Sequence, residues 1–178
     1  MEHQGRFFTA RATFNSTPRV PLLISALGEG AFQLAGEISD GAISWNCPPS
    51  YLIGVALPAL QRGARNANRP TPPLVAHATV ALSTDIEAVR EAARKALSTY
   101  VRLPFYATMF AAAGFAVQDS KPSDELLDAL VISGEAEAVT ARLHALLDSG
   151  LDELLLSHVD MGDEADQRTR LFGLVGQL

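Results

Sequence analysis

The sequence predicts an α/β domain built on parallel strands, and three observations carry that reading. An apolar run from Val20 to Ala26 leads through Leu27-Gly28-Glu29-Gly30 into a short amphipathic segment. The chain then turns at Asp40-Gly41 into a second apolar run, Ala42-Ile43-Ser44-Trp45. Two further strand candidates, Leu74 to Leu82 and Asp152 to Val159, stand apart from these and from each other across segments with helical spacing. Strand, glycine turn, helix, strand is the unit of a parallel sheet with helices outside it.

Taken in order, Arg6 to Phe14 alternates loosely and reads as an exposed strand or hairpin arm, ended by a turn at Asn15-Ser16-Thr17-Pro18. Gly30 to Ser39 is expected to be the first helix, with Phe32, Leu34, Ala35 and Ile38 packing inward. Pro48-Pro49 opens a longer helix to about Asn66, with Pro58 as a point of interruption. After the Leu74 to Leu82 strand, Thr84-Asp85-Ile86-Glu87 resembles a capping box that starts the next helix. Pro104 breaks that helix, and FYATMFAAAGF follows as a second segment. Asp124 to Val131 reads as a short helix or extended turn. Gly134 to Ser149 is expected to be a helix that ends at Gly150, and about Glu164 to Val175 is a final one. Four strand–helix units result. They fit a small doubly wound sheet or half of a (β/α)8 barrel, whose whole needs roughly 250 residues.

At 178 residues the chain suffices for a single domain. Residues 1–19 form an N-terminal arm and residues 20–178 carry the strand–helix units. Charged residues at 19% against 48% hydrophobic ones place it among folded rather than disordered chains. A net charge of −6 without a basic cluster argues against nucleic acid as a partner. No stretch is apolar and long enough for a bilayer, and MEHQGRFF lacks a signal peptide's apolar segment, so a cytoplasmic protein is expected. The lone Cys47 excludes an internal disulfide, and the four histidines lack metal-ligand spacing, so no metal site is expected.

Gly28 to Gly30 falls at the C-terminal end of a parallel strand, where the backbone amides of a helix N-terminus are able to face an anion. The alternative is a tight turn that needs glycine for its dihedrals. Trp45 and Asn46 follow the second strand at the same rim; Trp45 is expected in the core, while Asn46 is either a ligand contact or the cap of the next helix. Cys47 has no cationic neighbour in sequence and reads as an inert thiol. His77 is expected to be a satisfied interior histidine, His158 a rim residue, and His3 and His144 solvent-facing. Tyr106, Met109, Phe110 and Phe115 either wall an apolar channel or simply pack. Asp152-Glu153 reads as solvated charge.

Pro21, Ser25-Ala26, Gly28, Leu34-Ala35-Gly36-Glu37 and Asp40-Gly41 resemble, in order and spacing, the luciferase-like monooxygenase superfamily of flavin- or deazaflavin-dependent (β/α)8 barrels. Weaker agreement at Gly5-Arg6-Phe7-Phe8, Met109-Phe110, Gly114-Phe115 and Gly150-Leu151-Asp152-Glu153-Leu154 extends it over almost the whole chain. The resemblance implies a partial TIM barrel, with units corresponding to strands five to eight. It also implies an oxidoreductase or monooxygenase chemistry using FMN or a deazaflavin coenzyme. By position, Ser25, Ala26, Leu27 and Gly28 would approach the cofactor phosphate, with Asn46 a further contact; general acid and base stay unassigned.

Two departures matter. The family's Gly-Pro is here Gly28-Glu29, placing a carboxylate beside an anion site. Nothing corresponds to strands one to four, so the open edges call for cover, either by a second copy in a homodimer or by a partner chain. A non-catalytic half-barrel that oligomerises is the alternative function.

Overall fold

The computed structural model describes residues 2–13, 19–162 and 164–176. The N-terminal arm is an antiparallel hairpin of β1 (Glu2–Gln4) and β2 (Thr9–Arg11), with Phe7 and Phe8 exposed at its tip. The turn expected at Asn15-Ser16-Thr17-Pro18 lies outside the described residues.

The body is a parallel sheet. β3 (Leu23–Ser25) leads into α1 (Glu29–Ile38) and returns as β4 (Gly41–Ile43). A helical stretch follows: α2 (Pro49–Tyr51), a π-helical turn (Leu52–Ala56) and α3 (Leu57–Asn66). Pro58 therefore does not interrupt the helix. The wider turn before it, with the Leu57 amide bonded five residues back to Leu52, accommodates a residue that has no N–H and whose ring crowds the preceding carbonyls. β5 (Leu74–Ala81) is the longest strand, and it leads into α4 (Ile86–Leu97), a 3-10 turn (Tyr100–Arg102), α5 (Pro104–Ala112) and α6 (Asp124–Leu130). β6 (Val131–Ser133), α7 (Ala136–Asp148), β7 (Glu153–His158) and α8 (Glu164–Val175) complete the chain.

β5 is bonded along both edges. The carbonyls of Pro73 and Val75 accept from Ala42 and Ser44 beside β4, and that of Ala81 accepts from Gly134 after β6. The Val80 carbonyl accepts from Val159 after β7. Carbonyls alternate in direction along a strand, so β4 and β6 share one edge of β5 and β7 takes the other. The four main strands thus lie in chain order, β3-β4-β5-β7. Asp152 strengthens this arrangement: it is exposed, in line with the solvated reading, and its Oδ2 also accepts the Leu74 amide at 3.0 Å and ties the start of β7 to the start of β5.

The two faces of the sheet differ. Ala42, Leu74, Ala76, Ala78 and Val80 point to the helices and are buried. On the opposite face the parallel registers bring Ser25, Ile43, Val75 and Glu153 into one row, and His77 beside Leu155. There Leu23 remains 43% and Leu155 38% exposed. A doubly wound sheet would cover both faces; an open inner face fits half a barrel.

Local chemistry explains most element ends. Asp85 caps α4, one residue later than the capping-box reading, with its Oδ1 accepting the Ala88 amide. Ser123 caps α6 in the same way through Leu126, and Val131 belongs to the short β6 rather than to that helix. Arg90 of α4 grips Asp128 of α6 through two nitrogens at 2.9 and 2.6 Å, and this hydrogen bonding holds the Asp128 carboxyl below its ordinary range. Asp40 bonds Leu22 twice, through its side chain and its backbone amide, which fixes the entry to β4.

α1 crosses α3 backbone to backbone. A Cβ on Gly36 would lie 2.1 Å from the Leu60 carbonyl oxygen, and one on Gly63 would lie 1.9 Å from that of Gln33. Phe32 and Ala35 pack inward as expected, whereas Leu34 and Ile38 are exposed. They form a separate i, i+4 stripe on α1. Phe172 and Val175 of α8 are exposed likewise.

Gly36→Ala and Gly63→Ala are expected to destabilise the fold by about 3 kcal/mol each, because backbone rather than flexible side chain obstructs the new methyl. Gly54→Ala, whose added Cβ meets nothing within 4 Å, should be neutral or stabilising by up to about 1 kcal/mol. Urea unfolding followed by circular dichroism measures all three.

Candidate functional site

Two clefts open near the C-terminal ends of the strands. The first, of about 620 Å³, surrounds the turn between β3 and α1 and is lined by Ser25, Leu27, Gly28, Tyr51, Phe105 and Met109 among others. Gly28 has φ −85° and ψ 159°, dihedrals open to any residue. A Cβ there would meet nothing within 4 Å. Neither turn geometry nor packing demands glycine at this position, so its smallness leaves the backbone accessible from the cleft. The Gly28 carbonyl accepts from Ala31 and Phe32 and starts the helix. Glu29 also borders the cleft, but its carboxylate turns to Arg62 of α3 at 2.7 Å, and Arg62 bonds Gln33 as well. The carboxylate beside the turn is thus paired. Tyr51 lines the same cleft, and burial raises its phenol above the ordinary value.

The second cleft, of about 260 Å³, lies where β4, β5 and β7 end. Asn46 adopts the left-handed region at φ 51°, which aims its backbone N–H at His77 Nδ1, 3.3 Å away. Because Nδ1 accepts, the proton of the neutral imidazole sits on Nε2 and is donated to Ser157 Oγ at 2.9 Å. Ser157 Oγ in turn donates to Thr79 Oγ1 at 3.3 Å. Trp45 stacks on the His77 ring with centroids 3.8 Å apart and donates its indole N–H to the Tyr100 hydroxyl. Burial lowers the His77 pKa from 6.5 to about 4. Cys47 and Tyr106 bond the Trp45 carbonyl, and burial pushes both up to about 12. Near neutral pH the cluster is uncharged and lacks a thiolate.

The luciferase-like monooxygenase family model matches residues 1–153. The chain belongs to that family. Solved structures agree at the level of the fold. An F420-dependent secondary alcohol dehydrogenase in complex with an F420-acetone adduct is 20% identical, with a TM-score of 0.71 over 98% of this chain and 56% of that one. The FMN complex of the oxygenating constituent of 3,6-diketocamphane monooxygenase from Pseudomonas putida is 14% identical, with a TM-score of 0.65 over 98% and 56%. The coenzyme F420 dependent tetrahydromethanopterin reductase from Methanopyrus kandleri is 20% identical, with a TM-score of 0.62 over 89% and 49%. This luciferase-like chain therefore spans about half the length of the structures it matches. No curated protein sequence matches it.

The structure distributes the residues singled out in the sequence. Ser25, Leu27 and Gly28 line the first cleft, while Ala26 is buried beside it and donates its amide to the Ile43 carbonyl. Asn46 lines the second cleft and caps no helix through its side chain, since the following helix begins after Pro48 without a side-chain cap. Trp45 was expected in the core, yet it is 39% exposed because its ring lies over His77 at the cleft wall. His158 borders the same cleft. Tyr106, Met109 and Phe110 are buried packing residues, although Met109 reaches the first cleft. Thr79, Ser157 and Tyr100 were not anticipated. Their meeting depends on the β5–β7 register and on the path after α4, neither of which leaves a local sequence signal. Among the described residues, no group of three or more His, Cys, Asp or Glu is placed to hold a metal ion, and no helix is long and apolar enough to cross a membrane.

Because the folded pKa of His77 lies below its unfolded value, the unfolded chain binds the extra proton first as pH falls from 6.5 to 4. Stability that is full above that window is lost through it. The loss should reach about 2 kcal/mol after discounting for solvent access. Urea unfolding between about pH 7 and 4.5 should show this slope, and His77→Gln should flatten it.

Proposed function

We propose that this chain takes part in a flavin- or deazaflavin-dependent oxidoreductase and holds the cofactor's phosphate end at the turn of Ser25, Ala26, Leu27 and Gly28. The observation that carries this reading is the bare, accessible backbone at Gly28, a glycine that neither turn nor packing requires, at the N-terminus of α1. Pairing of Glu29 with Arg62 removes the electrostatic objection to an anion there. FMN and F420 in the named structural relatives support the cofactor class. Asn46, at the second cleft, is the further contact in this reading.

When bound, such a cofactor supplies hydride transfer or oxygen activation. The part of this chain is to place it. Backbone amides at the Gly28 turn receive its anionic end, Tyr51, Phe105 and Met109 exclude water from the first cleft, and neutral hydroxyls in the second offer hydrogen bonds. General acid and base residues are not among those assigned.

The open inner face and the exposed Leu34, Ile38, Phe172 and Val175 support a covering partner, either a second copy of this chain or a polypeptide bearing the remaining strand–helix units. A half-barrel that assembles without catalysis is the second reading, favoured by the same exposed residues.

Titration of the purified chain with FMN and with the deazaflavin coenzyme, read by their own absorbance, should give saturable binding of one. Gly28→Leu should weaken it about tenfold or more while leaving the circular dichroism unchanged. Binding of neither cofactor would remove the enzymatic reading. Light scattering should show a species larger than one chain, and a stable monomer at micromolar concentration would count against self-association.

A further inference from the structure

The hydrogen-bond chain at the second cleft has a direction. The Asn46 amide can only donate, so His77 Nδ1 accepts and Nε2 donates to Ser157. Ser157 is then left to spend its own proton on Thr79 Oγ1. The Thr79 proton has no further acceptor among the described residues, and Thr79 lines the cleft half-buried. One hydroxyl is thus oriented by three successive bonds to act as a donor. The surrounding walls are apolar or aromatic: Trp45, Leu97, Tyr100, Leu130 and Val131. No lysine or arginine is among the described residues lining it, which also include His158 and Asp160. The Asp160 carboxylate disfavours a carboxylate or phosphate there. At about 260 Å³, the space lies just under the roughly 300–1,000 Å³ of typical drug-sized ligand sites.

We propose that this cleft recognises a small uncharged molecule carrying one acceptor oxygen, with the Thr79 hydroxyl donating to that oxygen and Trp45 and Tyr100 enclosing its apolar body. The cleft is separate from the phosphate turn at Gly28, and recognition in it rests on its own hydrogen-bond chain rather than on the cofactor reading, in which Asn46 of this cleft is a further contact. Thr79 touches the ligand, whereas Ser157 and His77 act through it as positioning residues.

Trp45 is the only tryptophan in the chain, so its indole N–H gives a single, assignable nuclear magnetic resonance signal at the cleft wall. N-methylpyrrolidone, a neutral ring amide that accepts but does not donate, is the probe, and cyclopentanecarboxylate is the anionic control of the same ring size. The amide should shift the indole signal saturably, and the carboxylate should not. Thr79→Val keeps the shape and the β-branch but loses the donor, and it should weaken the amide about fivefold. Thr79→Ser should bind as the parent does. Ser157→Ala leaves the Thr79 hydroxyl free to turn and should weaken binding about twofold or more; it stands in if Thr79→Val fails to fold. Equal affinity in Thr79→Val (or, in its place, Ser157→Ala), equal binding of the carboxylate, or no saturable shift with the amide would overturn the proposal. Because the cofactors are read by their own absorbance at the Gly28 turn, failure there and failure here are separate results.

Discussion

The fold depends on the two-sided pairing of β5. Its odd-numbered carbonyls hold β4 and β6 along one edge and its even-numbered ones hold β7 along the other. Every strand except β3 and the hairpin is fixed by direct bonds to this one segment. The same alternation decides the faces. Ala76, Ala78 and Val80 go to the helices, and Val75, His77 and Thr79 go to the open side. A slip of one residue in β5 would bury the polar set and expose the alanines and Val80. Asp152, which bonds the first amide of β5, helps to prevent that slip.

A second constraint lies in the contact of α1 with α3. Helices approach this closely only where both lack side chains, and Gly36 and Gly63 meet that condition from opposite sides. The glycine in Leu34-Ala35-Gly36-Glu37 is therefore a packing residue. Gly28, eight positions earlier, has no such obligation. Two glycines in one motif thus do different work: one lets backbone meet backbone, and the other leaves backbone uncovered at a cleft.

Much of this was legible in the sequence because it rests on local chemistry. The glycine turn, the Asp-Gly entry to β4, the prolines that open helices and the apolar run of β5 each leave a signal within a few residues. The final helix, Glu164–Val175, was readable to the residue. What was hidden depends on register or on tertiary packing. Leu34 and Ile38 have the spacing of core residues, yet both are exposed because α1 packs on its neighbours through Phe32, Ala35 and Gly36. Trp45 has the composition of a core residue, yet stacking on His77 keeps it at a wall. The link from Ser157 to Thr79 joins residues 78 apart in sequence, and only the parallel pairing of β5 with β7 reveals it.

The uncovered face has one more consequence. The bonds through Asn46, His77, Ser157 and Thr79 now operate beside water, which weakens electrostatic interaction. Anything that seals the inner face lowers the dielectric around them and stiffens the donor at their end. A molecule held there more tightly in the sealed state must, by thermodynamic reciprocity, favour sealing by the same factor. In this architecture assembly and recognition would be two readings of a single coupling free energy.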